Sequence, residues 1–175
     1  MTKGRILLKL ILDEIGLGEP RLDSFAKRLG LQKKVYLVQV AGLDLQYRYN
    51  WYLRGPYCAI LTDNAFLLKE EIDSGEDDYT GYVLSDKARK RLTKAMGIWE
   101  LGGEVDSDEE EWLELLASLH YLKHIAYWPG GRVAKEQIFE KLMDAKPKFR
   151  GKEAFIQMAW DRLGEFGLVD KKVLA

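Results

Sequence analysis

Glycine and proline cut this chain into short pieces, and nearly every piece repeats its apolar residues at helical spacing. In the first, Ile6, Leu7, Leu10, Ile11 and Leu12 recur until Gly16, Gly18 and Pro20 end the run. A second segment opens near Arg21 with Leu22, Phe25, Ala26 and Leu29 on one face. Gly30 punctuates it, and the pattern resumes over LQKKVYLVQVAGL with Leu31, Val35, Leu37 and Val38 turned inward. TDNAFLLKEEIDSG reads as a helix capped by Thr62 or Asp63, and SDKARKRLTKAMGIWEL as a basic helix capped by Ser85 or Asp86. WLELLASLHYLKHIAYW is led by acidic residues, which favour a helix N-terminus, and runs to Pro129-Gly130-Gly131. RVAKEQIFEKLMDA and KEAFIQMAWDRLGEFGLV complete the set, the last with Phe155, Met158, Ala159, Leu163 and Phe166 on one face. Strand signals are short: YTGYVL at 79–84, and VDKKVLA at the end.

These patterns specify a mainly α chain with short β-strands (α+β). Residues 102–107, two glycines and then charge, read as a linker between a helical segment 1–101 and a segment 108–175. In the second segment helix, turn, helix and then Gly-Leu-Val is compatible with a winged-helix-like lobe. A chain of 175 residues suits one domain or two small lobes sharing a core.

Composition narrows the function classes. The net charge is -1, so no global basic field gathers nucleic acid. Cys58 is the only cysteine, which rules out an intrachain disulfide and fits a reducing cytoplasm. Lys9, Asp13 and Glu14 break the first apolar run, leaving it too short and too charged to span a membrane. Charge of mixed sign on 31% of the residues, rich in Lys and Glu, leans towards a thermophile.

The most distinctive stretch is YRYNWYLRGPYCAIL, residues 47–61. As a strand it puts Tyr47, Tyr49 and Trp51 on one side and Arg48, Asn50 and Tyr52 on the other. Gly55-Pro56 then forces a turn. Such a stretch is either a packed aromatic corner or a surface that packs on one side and meets a partner on the other. On the second reading Tyr47, Arg48, Tyr49, Trp51, Tyr52, Arg54 and Tyr57 form the partner-binding set, because aromatic and Arg side chains dominate binding hot spots.

The segment LQKKVYLVQ followed by this stretch resembles YwgA-like uncharacterised proteins and the related SocA-like antitoxin (Panacea) domains. The matching positions are Leu31, Gln32, Lys33, Tyr36, Gln39, Tyr49, Tyr52, Gly55, Pro56, Tyr57 and Leu61, and the resemblance extends over residues 20–95. Lys34, Arg54 and Cys58 depart from the pattern. The resemblance implies a mostly helical, prokaryotic, non-enzymatic protein-interaction module, antitoxin- or adaptor-like, whose partner is a toxin-like protein.

Other constellations are weaker. Lys87, Arg89, Lys90, Arg91 and Lys94 crowd one helix and could meet DNA phosphates, the alternative reading being a winged-helix transcriptional regulator. Lys27, Arg28, Lys33 and Lys34, and Lys146, Lys148, Arg150 and Lys152, form two further basic clusters. His120 and His124 share a helix face as a zinc pair would, but lack the adjacent glutamate of a metalloprotease and a third ligand. Cys58 has no base nearby in sequence, and no phosphate-binding glycine loop is present. Neither a catalytic residue nor a cofactor is expected.

Overall fold

Side-chain oxygens start four of the helices. Thr2, Ser24, Ser85 and Asp108 stand in extended backbone and accept from the amide three residues on, at 3.4, 3.2, 3.2 and 2.6 Å. Each satisfies a donor that the first helical turn leaves unpaired. The computed structural model of the chain describes residues 1–101 and 108–170. Among those residues the order is α1 (Lys3–Glu14), α2 (Phe25–Val40), β1 (Asn50–Tyr52), β2 (Gly55–Tyr57), α3 (Ala59–Asp73), α4 (Asp86–Trp99), α5 (Glu109–His124), α6 (Lys135–Ala145) and α7 (Glu153–Glu165). The chain is thus mainly helical with one small antiparallel hairpin, in which Asn50, Trp51 and Tyr52 face Tyr57, Pro56 and Gly55.

The arrangement is organised around α5. Trp112 to Leu122 are buried without a break, because α2, α4, the hairpin, α6 and α7 all pack on this helix. A helix buried on every side has no need of an apolar stripe. Leu8, Val35, Leu92, Leu116, Leu142 and Ile156 belong to one continuous core, so the two segments flanking 102–107 share it.

The structure differs from the sequence reading at several boundaries. α2 begins at Phe25, where Ser24 caps it, and passes through Gly30 without a break; Phe25 is exposed. α3 begins at Ala59, and the hydroxyl of Thr62 bonds Gln32 and Tyr57 instead of capping a helix. Residues 79–84 form no strand: a 3-10 turn over Asp78–Gly81 leads into unpaired extended backbone. α5 stops at His124, before Pro129, and the indole of Trp128 donates to the Leu122 carbonyl at 2.7 Å. On α7 the inward face is Ile156, Ala159, Trp160 and Leu163, while Met158 is exposed. The expected linker 102–107 and most of the final strand, 171–175, lie outside the described residues. Within 108–170 no strand is present among the described residues. No helix among them is long and apolar enough to cross a membrane.

Leu116, wholly buried at the middle of α5, sets a direct check. Leu116→Ala should lower unfolding free energy by about 3 kcal/mol in a urea titration, with the denaturant slope unchanged.

Candidate partner-binding surface

Residues 43–49 run without regular secondary structure across the core, so their amides and carbonyls need outside partners. α2 supplies them. The Gln39 side chain donates to the Tyr47 carbonyl at 2.9 Å and accepts from the Tyr47 amide at 3.0 Å. Seven residues earlier Gln32 treats Cys58 in the same way, at 2.8 and 2.9 Å. Lys33 donates from Nζ to the Pro56 carbonyl. Tyr36 meets the ring of Tyr49 edge-on, 4.9 Å between centroids, and its hydroxyl lies 2.7 Å from Nδ1 of His120. Burial pushes the Tyr36 hydroxyl far above its ordinary value, so it keeps its proton beside the imidazole. Gln32, Lys33, Tyr36 and Gln39 therefore pin the stretch from one helix at four points.

The turn between the strands is Leu53-Arg54. Neither has a positive φ, and that requirement falls on Gly55 at +85°. A Cβ there would lie 2.6 Å from Oγ of Ser118. Glycine is thus needed for both conformation and space.

Burial along the stretch alternates as the sequence reading expected. Tyr49 is buried and Tyr47 and Trp51 are half-buried, while Arg48, Asn50 and Tyr52 are exposed. Trp51 stacks obliquely on Tyr121 at 5.6 Å, and Nζ of Lys146 sits 5.2 Å from its ring centre. Tyr57 is half-buried, bonded to Thr62 and edge-on to Tyr52 at 5.3 Å. Tyr52, Leu53 and Arg54 form the projecting tip, with Leu53 82% exposed. Of the seven candidates, Arg48, Tyr52 and Arg54 face outward, Tyr49 belongs to the core, and Tyr47, Trp51 and Tyr57 brace the bend.

Beneath the tip lies a buried carboxylate. Glu114 of α5 accepts from Lys146 at 2.7 Å and from Lys148 at 2.7 Å, and Arg54 approaches to 3.9 Å. Burial raises the Glu114 carboxyl, but the two lysine bonds outweigh it and leave the group below the usual carboxylate range. Lys146 also donates to the Leu53 carbonyl at 2.7 Å, which ties the tip to this cluster. Its own ammonium is shifted downward by burial, against the pull of Glu114. Sequence reasoning missed Glu114 and Leu53. The available signal for Glu114 was a single carboxylate inside the apolar run Trp112 to Leu116.

The remaining candidates lie apart from the tip or are already engaged. His120 and His124 stack at 4.7 Å, but Tyr36 occupies Nδ1 of His120, and Nε2 of His124 donates to the Leu168 carbonyl at 2.6 Å. Among the described residues no three groups gather as metal ligands. Cys58 is buried at the N-terminus of α3. On α4, Lys87, Arg89 and Lys90 are exposed and Arg91 and Lys94 half-buried, forming a basic face on a helix that packs on α1, α2 and α5. Comparison with protein-family models, with curated proteins and with solved structures finds no match to this chain.

Two measurements check this geometry. The Tyr49 hydroxyl is buried without a hydrogen-bond partner, so Tyr49→Phe should change stability by less than about 0.5 kcal/mol. Gly55→Ala, by contrast, should cost about 2 kcal/mol or more. The second check is pH dependence. Burial, helped by His124, lowers the His120 imidazole from 6.5 to about 3. The folded chain then binds fewer protons than the unfolded one between those values. This contribution is complete above pH 6.5 and is lost as pH falls towards 3. Stability should drop by up to about 1.4 kcal/mol per pH unit over that window, and His120→Gln should flatten the slope between pH 6.5 and 5.

Proposed function

We propose that this chain is a non-enzymatic protein-interaction module, adaptor- or antitoxin-like, that grips a partner protein with its hairpin tip. One observation carries the reading: a tip whose backbone is pinned to α2 and Lys146, yet whose Tyr52, Leu53 and Arg54 side chains project into solvent. A fixed backbone lowers the ordering entropy that association costs. Tyr and Arg are the residue types that anchor interfaces, and an exposed Leu gains by being covered. The resemblance of residues 20–95 to YwgA-like proteins and SocA-like antitoxin (Panacea) domains favours the same reading. The partner would then be a toxin-like protein, occluded or handed to a protease in a reducing cytoplasm.

The test is affinity capture from source-cell extract, with the double variant Tyr52→Ala, Leu53→Asp as its control. Both positions are exposed, so folding should survive, and circular dichroism would verify it. A stoichiometric partner should bind the wild type and bind the variant roughly 30-fold less tightly, matching the loss of two anchors worth more than 1 kcal/mol each. Equal retention by both would overturn the proposal.

A second reading is a winged-helix-type DNA-binding regulator. It rests on Lys87, Lys90, Arg91 and Lys94, which make no ion pair among the described residues. It requires retention on heparin at low salt, a steep loss of affinity with added salt, and failure of the Lys90→Glu, Arg91→Glu variant. A chain that passes through heparin unretained at low salt would exclude it.

A further inference from the structure

Lys33 is a cation at a place where cations are costly. It is 2% exposed, and its ammonium uses one of three donors, on the neutral carbonyl of Pro56. Among the described residues no carboxylate forms an ion pair with it; the nearby Glu114 is taken by Lys146 and Lys148. An uncompensated buried charge must shed its proton or gain a counter-charge. Burial, with Lys146 adding repulsion and Glu114 partly opposing, lowers the Lys33 amine to about 7.

Lys33 lines a cavity of about 180 Å³ between α2, the hairpin tip and the start of α5. Arg54, Lys148 and Glu114 share that lining, and Asp108, Glu110 and Glu111 contribute from the first turn of α5. The inner carboxylates are engaged. Glu114 is held by two lysines, Glu111 accepts from Lys152 at 2.7 Å, and Asp108 caps α5. The cations are less so: among the described residues Arg54 has only its 3.9 Å approach to Glu114, and Lys33 only the carbonyl. A counter-charge supplied from outside would have two sets of unused donors to meet.

We propose that this cavity receives a carboxylate of the partner protein, seated between Nζ of Lys33 and the guanidinium of Arg54. A carboxylate matches the fork of an arginine. Its single charge tolerates the acidic side of the cavity, where a phosphate dianion would be repelled by Asp108, Glu110 and Glu111. The inference rests on the interaction reading only for the source of the ligand, a chain terminus or an Asp/Glu side chain. The site itself is independent of it.

Binding should be coupled to a proton. Above pH 7 the empty site holds mostly neutral Lys33, and a carboxylate must draw a proton in as it binds. Affinity should therefore be level near pH 6 and fall as pH rises through 7, by up to about tenfold per unit. Glu114 and Lys146 act on the amine, Arg54, Lys148, Asp108, Glu110 and Glu111 are the other charged residues of the lining, and replacing Lys33 separates its titration from theirs.

The experiment uses three probes on the whole chain: acetate at ionic strength matched with sodium chloride, a short neutral peptide with a free C-terminus, and its amidated counterpart carrying one glutamate. Thermal unfolding and calorimetry in buffers of different ionisation enthalpy supply the readouts. Acetate should raise the wild-type Tm beyond the salt control, with uptake of about one proton per site at pH 8 and almost none at pH 6. Lys33→Met should abolish both effects. Arg54→Ala, at an exposed position, should weaken binding about tenfold even if Lys33→Met fails to fold. The tighter of the two peptides identifies the source as chain end or side chain. No probe acting beyond salt, or unchanged binding after either substitution, would overturn the assignment. Loss of partner capture from the tip variant without any carboxylate binding would retire the cavity and leave the interaction reading standing. Carboxylate binding without a partner would do the reverse.

Discussion

The fold depends on how an irregular segment gets its hydrogen bonds while lying on a hydrophobic core. Residues 43–49 have no neighbouring strand, and water reaches only one side of them. α2 resolves this by carrying polar side chains on faces that would otherwise be apolar. Gln32 and Lys33 are as buried as the leucines beside them, and each ends on a backbone group of the hairpin region. Burial of such groups is costly unless they find partners, so these side chains and the hairpin backbone need one another. Because α2 also packs against α4 and α5, the bend is fixed to the centre of the protein and not to its periphery.

Much of the helical layout was legible in the sequence because its signals are local. The cap at Ser85 lies next to the helix it starts, and apolar periods report the buried side directly. The alternation through residues 47–52 was legible for the same reason. What escaped depended on partners distant in the chain. Thr62 looks like a cap until Gln32, thirty residues away, claims its hydroxyl. Residues 79–84 alternate like a strand, but among the described residues no second strand is placed to pair with them.

The candidate surface was legible only in outline. The residues that make the motif conspicuous, Gln32, Lys33, Tyr36, Gln39 and Gly55, turn out to hold the bend in place. Of the side chains the bend leaves in solvent, Tyr52, Leu53 and Arg54, the most exposed, Leu53, is the one that nothing in the string marks out. Glu114 is hidden for a related reason: its meaning comes from Lys146 and Lys148, thirty-two and thirty-four residues further on. Spacing within one helix carries no trace of such pairings.

The two-residue turn has an evolutionary consequence. At Leu53 the scaffold uses only a carbonyl oxygen, which every amino acid possesses, and at Arg54 it uses one distant charge contact. Folding therefore places almost no demand on which side chains stand there. Descendants of this chain could exchange those two letters, and on the proposed interaction reading their choice of companion, while the supporting framework stayed the same.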